Sequence, residues 1–279
     1  LESTNTPPPP VALTIAGHDP SSGAGITADL LVFAAHGIFG TSAITSLTVQ
    51  STLGVAAVEP LKASLISQVL FHLDKDLDVA GVKIGMLGTA DAVLATADFL
   101  EQKHQGKLHN PNIPCVLDPA LVSSSGASLL TAAGLEALRQ RLLPAVNWIT
   151  PNWAELAALS GEPVASFTEA ESAAAALGDR YPHLNIVVTG GDQVQPTDLL
   201  RLPNGDLHRF SATRIETTST HGTGCAFSSA LLSRIILGSD PISAVAEAKR
   251  YVTEAIRTAP PLGQGRGPLN LLWPLTHRS

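Results

Sequence analysis

The chain reads as an α/β protein whose mainly parallel central sheet is covered by helices on both faces. Three observations carry that reading. Short apolar runs alternate with stretches of helical periodicity along nearly the whole length. Several runs, Val11 to Ala16 and Pro114 to Leu117 among them, are largely apolar without strict alternation, as strands buried on both faces are. Most of them end in a loop bearing Gly, Asp or Asn, which is where such sheets place their ligands.

Val11 to Ala16 is the first strand, and it breaks at Gly17-His18-Asp19-Pro20-Ser21-Ser22-Gly23-Ala24-Gly25. Helical spacing follows through Leu30, Leu31 and Ala34 to Gly37. Thr41 to Gln50 is the second strand, and Leu61 to Leu73 a helix entered through Pro60. Val79 to Ile84 is the third, running into Gly85-Met86-Leu87-Gly88 and a helix from Thr89 to Lys103. Pro114 to Leu117 is the fourth, closed by Asp118-Pro119 and the Ser123-Ser124-Ser125-Gly126 loop. Leu129 to Leu142 is helical, and Val146 to Thr150 is the fifth strand, stopping at Pro151. Asn152 to Glu155 opens the next helix, and Thr168 to Leu177 forms another. Asn185 to Thr189 is the sixth strand, ending in Gly190-Gly191-Asp192. Leu199–Leu202 and Leu207–Phe210 make a hairpin whose Asn204-Gly205 dipeptide predicts a type I′ turn. A Thr-rich turn then enters His221-Gly222-Thr223-Gly224-Cys225. The helix after it carries Phe227, Ala230, Leu231 and Ile235, with Gly238 at the left-handed cap. Asp240 and Pro241 start a last helix, with Val245, Ala248, Val252 and Ala255 on one face, that stops at Pro260-Pro261.

No repeat or long linker divides the chain, so residues 11–279 are expected to form one domain. Residues 1–10 (LESTNTPPPP) read as a disordered, extended leader without the features of a signal peptide. With 44% hydrophobic and 15% charged residues, a large core is available. A net charge of -7 without any Lys/Arg cluster argues against nucleic acid and anionic membranes as partners. No apolar run is long enough to span a bilayer. Cys115 and Cys225 lie far apart with no CxxC spacing, which gives no zinc or disulfide framework and fits a cytoplasmic location.

Asp19, Gln50, Met86, Asp118, Asn152, Glu155 and Asp192 all fall just beyond strand ends. Neither GxGxxG nor GxxxxGK[ST] occurs, which excludes a dinucleotide fingerprint and a P-loop. The Gly222–Cys225 stretch has two readings: an anion site at a helix N-terminus, with a thiol of lowered pKa, or a Gly-rich turn into a core helix with an inert Cys. Asp118, Asn152 and Glu155 make an oxygen set for Mg²⁺, or else Asn152 is an N-cap with Glu155 closing a capping box and Asp118 a turn residue. Gln50 offers the donor and acceptor that an aminopyrimidine edge needs, or simply closes a strand. Met86 lines a ring or fills the core. His18 and His221 read as loop hydrogen-bonders.

IAGHDPSSGAGITADL, VKIGMLG, LDPALVSSSG, ITPNWAEL and HGTGC, in this order, resemble the hydroxymethylpyrimidine/phosphomethylpyrimidine kinases of thiamine biosynthesis, in the ribokinase-like superfamily. The likeness runs from Val11 to Trp273. It implies a ribokinase-like three-layer α/β/α fold, ATP with Mg²⁺, a small aminopyrimidine alcohol or its phosphate as acceptor, and a homodimer. It assigns Gly17, Asp19, Ala24, Gln50 and Met86 to the substrate. Asn152, Glu155, Thr189 and Gly191 go to the nucleotide, Asp118 and Glu155 to the metal. Gly222, Thr223 and Gly224 form the anion hole, and Cys225 stands at the place of the catalytic base. Ser124 and Thr189 stand where the family usually carries Lys, and Gln264 where Lys or His is frequent. Pyridoxal kinase and a catalytically weakened pyrimidine-binding regulator are the alternatives.

Overall fold

The computed structural model describes residues 7–123, 126–191 and 193–276. Its nine strands are β1 (Val11–His18), β2 (Phe39–Ser51), β3 (Gly54–Pro60), β4 (Val79–Ile84), β5 (Cys115–Leu117), β6 (Trp148–Ile149), β7 (Asn185–Val188), β8 (Thr197–Arg201) and β9 (Leu207–Ser211). The principal helices are α1 (Gly25–Ala35), α2 (Ala63–Asp76), α3 (Ala90–His104), α4 (Ala132–Ala137), α5 (Trp153–Ser160), α6 (Phe167–Arg180), α7 (Thr223–Ile236) and α8 (Pro241–Arg257).

All strands join one sheet in the order β3-β2-β1-β4-β5-β6-β7-β8-β9. The run from β2 to β7 is parallel, and β3, β8 and β9 add antiparallel pairs at the edges. One face packs Ile66 and Leu70 of α2, Val93 and Phe99 of α3, Leu156 of α5 and Ala173 and Leu177 of α6. The other packs Val32 and Phe33 of α1, Phe227 and Leu231 of α7 and Val245 and Ala248 of α8. This is the three-layer architecture. β1 lies between β2 and β4, so the chain reverses its direction of travel across the sheet there, and the strand ends open a crevice.

The helix starts follow their side chains. Thr89, Ser166 and Asp240 each accept a backbone N–H of the turn they cap. Four expectations are corrected. β3 went unread because its residues are largely exposed and form no buried apolar run. The helix expected from Leu129 starts at Ala132, capped by Thr131, and its Leu138–Leu142 portion is wound as a π-helical turn. Asn204 does not take the positive φ that a type I′ turn demands; Gly205 alone does, at 92°. With Gly205 N–H bonded to Leu202 O, the loop is a type I turn with a Gly bulge. Pro10, assigned to the leader, accepts the Phe39 N–H and belongs to the fold.

Candidate active site

The β1–α1 loop is drawn together by one carboxylate. Asp19, 2% exposed, accepts Ser21 N–H at 2.8 Å and Ser21 Oγ at 2.7 Å on Oδ1, and Ala24 N–H at 3.0 Å on Oδ2. Oδ2 also lies 2.7 Å from His221 Nε2 on the loop entering α7. Burial raises the Asp19 pKa, but the hydrogen bonds from His221 and Ser21 outweigh it and hold the carboxyl below its ordinary value. Gln50, at the end of β2, completes the cluster, with its amide Nε2 3.2 Å from His221 Nε2 and Oε1 3.1 Å from Thr48 Oγ1.

Two glycines let these loops touch. A Cβ on Gly222 would lie 1.8 Å from Gly23 O, and its φ of 81° is the left-handed region that favours glycine. A Cβ on Gly23 would lie 2.2 Å from His221 Cδ2. Gly222 is the N-cap of α7, and the first helical bond is Ala226 N–H to Gly222 O. The N–H groups of Thr223, Gly224 and Cys225 therefore precede the helical ladder at the positive end of the helix dipole, as an anion site requires. Gly17 borders Met86, with its would-be Cβ 3.1 Å from Met86 Sδ, and Thr45 Oγ1 donates to Met86 O at 2.6 Å. The structure thus brings Gly17, Asp19, Ala24, Gln50, Met86 and Gly222–Cys225 together beyond the ends of β1, β2 and β4.

Cys225 overturns the thiol expectation. Although the residue is partly exposed, burial of its sulfur pushes the thiol up to about 12. The Lys83 charge and a hydrogen bond from the Gly25 backbone pull it down without winning. Asp118 and Asp29 push it further up. The helix field is real, but desolvation exceeds it.

Beneath the anion loop is a buried network that sequence reading missed. Lys83 Nζ sits 3.0 Å from Asp29 Oδ2, both fully buried. Asp29 also accepts Thr14 Oγ1 at 2.6 Å and Ser229 Oγ at 2.8 Å. Burial disfavours the Lys83 ammonium, but Asp29 foremost, with Cys225 and Asp118, holds its pKa above the ordinary lysine value. A lysine inside the apolar Val79–Ile84 run was the available signal, since a buried cation needs a partner. Asp118, at the end of β5, receives Ser228 Oγ at 3.3 Å, and its Oδ2 lies 3.6 Å from where a Gly224 Cβ would be. Burial, aided by Asp29, raises its pKa against the pull of Lys83 and Ser228.

On the far side, Asn152 and Glu155 form the capping box. Asn152 Oδ1 accepts Glu155 N–H at 2.9 Å, and Glu155 Oε2 accepts Asn152 N–H at 3.0 Å. Glu155 Oε1 takes Leu121 N–H at 3.1 Å. Both carboxylate oxygens hold backbone, so the capping-box reading of Asn152 and Glu155 is present in the structure. Thr189 N–H donates to Pro151 O, tying the β7 end to this helix start. Gly190 N–H donates to Asp198 Oδ1 at 2.9 Å, and Lys249 pairs with Asp198 at 2.9 Å, two further residues that sequence reading missed. Gly191 is exposed with open space around it. Ser124 and Asp192 lie outside the described residues. Among the described residues no three acidic, His or Cys side chains gather as a metal centre.

The family model described as phosphomethylpyrimidine kinase matches residues 19–270. A hydroxymethylpyrimidine/phosphomethylpyrimidine kinase of Haemophilus influenzae is 40% identical over 92% of this chain and 95% of its own. The crystal structure of a phosphomethylpyrimidine kinase from Clostridium difficile superposes with a TM-score of 0.75 at 32% identity, covering 88% of this chain and 99% of that one. A Staphylococcus aureus pyridoxal kinase in complex with pyridoxal reaches 0.84 at 27% identity, covering 97% and 95%.

Proposed function

The chain belongs to the phosphomethylpyrimidine kinase family, and on that footing we propose that it transfers the γ-phosphoryl of ATP to 4-amino-5-hydroxymethyl-2-methylpyrimidine and to its monophosphate in thiamine biosynthesis. The observation that carries this reading is the contact of Gln50 with His221, the residue directly before the anion loop. A group suited to an aminopyrimidine edge thereby stands beside the place for a moving phosphoryl group. The backbone contact of Gly222 with Gly23 supports the same placement.

Phosphoryl transfer is mostly positioning and electrostatics. Gln50 holds the pyrimidine edge, Met86 and Gly17 flank the ring, and the hydroxymethyl oxygen faces Cys225. The N–H groups of Thr223, Gly224 and Cys225 receive the negative charge of the transferred group. Cys225 enters as a neutral thiol that orients the hydroxyl, since a thiol raised to about 12 is not a resting base. The implied Mg²⁺ would neutralise phosphate charge when bound. Asp118 fits it as a single carboxylate facing the loop, its Oδ2 lying 3.3 Å from the Ser228 hydroxyl and beside Gly224. Glu155 acts indirectly, by fixing the Asn152 and Leu121 backbone. Asn152, Thr189 and Gly191 border the nucleotide, with Gly190 held by Asp198.

Incubation with ATP and, separately, the pyrimidine alcohol, its monophosphate and pyridoxal tests the reading by product analysis. Phosphorylation of both pyrimidines with pyridoxal much slower is the expected result. Turnover of pyridoxal alone would replace it with the pyridoxal-kinase reading, which the S. aureus structural match favours. For assembly, Phe39 (55% exposed), Val49 (64%) and Leu53 (73%) along β2 and its turn supply an apolar face suited to a homodimer, which sedimentation would reveal. No described helix is long and apolar enough to cross a membrane, and the two cysteines are unpaired, which supports a cytoplasmic site.

A further inference from the structure

Gln50 supports substrate choice only if its amide faces one way, because reversing it exchanges donor and acceptor. The hydrogen count of its neighbours decides which way. Asp19 accepts from Ser21 N–H, Ser21 Oγ and Ala24 N–H, as an ionised carboxylate does. At 2.7 Å from that carboxylate, His221 Nε2 must carry its hydrogen, since two acceptors would repel at this distance. A protonated Nε2 has no lone pair to receive an –NH₂, so the Gln50 atom 3.2 Å away is the carbonyl oxygen, sharing the Nε2–H with Asp19 as the longer arm of a three-centre bond. The other end of the amide gives the same answer independently. Thr48 Oγ1 lies 2.9 Å from His18 O, a pure acceptor, so the single hydroxyl hydrogen is spent there. The Thr48 oxygen, 3.1 Å from Gln50, is then an acceptor and needs the –NH₂.

We infer that His221 and Thr48 are specificity-determining positioning residues that lock the Gln50 amide with its carbonyl toward His221 and its –NH₂ toward Thr48, opposite to the drawn assignment of the two nearly isosteric ends. The lock leaves one N–H and one carbonyl lone pair of Gln50 for the ligand, in fixed order. A 4-aminopyrimidine presents ring nitrogen as acceptor and amine as donor. The 4-oxo analogue presents the reverse, N–H as donor and oxygen as acceptor. An amide fixed at both ends takes only one of these patterns, the amino one on the aminopyrimidine reading, while a free amide turns over and accommodates both. Gly23 leaves room for that imidazole, since a Cβ there would lie 2.2 Å from His221 Cδ2.

The inference rests on the aminopyrimidine reading, and its test has one arm that does not. In the first arm, kcat/KM is measured for the 4-amino and 4-oxo pyrimidine alcohols with wild type, Thr48→Val and His221→Leu, and with His221→Gln, which keeps an N–H donor. The amino/oxo preference should drop about tenfold in Thr48→Val and about a hundredfold in His221→Leu, as expected when a designed hydrogen-bond pattern loses its enforcement. It should recover in part in His221→Gln. Equal losses on both substrates, leaving the ratio untouched, would overturn the lock. In the second arm, hydrogen exchange of the Gln50 side-chain –NH₂ is followed by NMR in the ligand-free protein. Thr48→Val should speed it several-fold and His221→Leu should not. The opposite pattern, or no change, refutes the orientation. If neither pyrimidine is phosphorylated, the kinase reading fails alone and this second arm still decides the lock.

Discussion

Two buried Lys–Asp pairs invite comparison. Lys83–Asp29 and Lys103–Asp74 are each almost free of solvent, with Nζ–Oδ separations of 3.0 and 2.5 Å, and each stands near a cysteine whose thiol burial pushes to about 12. Lys103 and Asp74 staple α3 to α2 and hold the 109 segment, through Lys103 to His109 O and His109 N–H to Asp74. Lys83 and Asp29 join the β4 strand to α1 and, through Ser229, to α7 one turn below Cys225. The chemistry is the same, and only the address differs. One pair ties outer helices to each other, whereas the other is tied through Ser229 to the helix whose first N–H groups lie at residues 223–225.

The sharpest way to break this comparison is to remove each cation. Lys83→Met and Lys103→Met should each cost about 3–5 kcal/mol of unfolding free energy, because each strands a buried carboxylate. Only Lys83→Met should also lower kcat, by about 10²–10³-fold, the scale of losing an oxyanion-type donor set. Denaturant melts and steady-state kinetics at a permissive temperature check both; an equal kcat loss in Lys103→Met would show that mere destabilisation explains the effect. Ser229→Ala cuts only the thread to α7 and should cost about 1–3 kcal/mol, with a smaller fall in kcat than Lys83→Met.

The cysteines sharpen the same contrast. Cys225 is a partly exposed residue although its sulfur is largely covered, and Cys115 is wholly buried, so iodoacetamide should label Cys225 slowly and Cys115 not at all in the folded protein. Because the thiol is raised, its labelling rate should climb about tenfold per pH unit without a plateau below pH 9. Lys83→Met should slow it further, and Lys103→Met should leave it alone. The smallest effect concerns an acid held by histidine instead of lysine. Asp19 has a lowered pKa, so its stabilisation is complete above the ordinary value of 3.8 and is lost as pH falls through the folded value below it. The stability gap between wild type and Asp19→Asn should therefore close in that acid window, as equilibrium unfolding at stepped pH would show.

The fold was legible where burial leaves a pattern. Val11–Ala16 and Val79–Ile84 announce themselves as apolar runs, and Asp240-Pro241 and Gly238 mark helix ends by local chemistry. β3, half in solvent, leaves no such trace. The hairpin was misread because Pro203 fits the second position of a type I turn, which overrides the Asn204-Gly205 preference for type I′. At the site, strand-end position alone pointed to Asp19, Gln50 and Met86. The partner of Lys83 lies 54 residues away and that of Asp19 lies 202 away. No spacing rule links such pairs, because the sheet order and not the chain brings them together. Desolvation at Cys225 was invisible for the same reason.

The contact of Gly222 with Gly23 has a consequence for how such a site can be rebuilt. Backbone meets backbone there with no side chain between to yield, so the β1–α1 loop and the loop entering α7 form a matched set. Grafting residues 17–25 from a relative with a different acceptor should give an inactive hybrid unless residues 219–225 travel with them. New specificity on this scaffold is then inherited as a two-loop cassette.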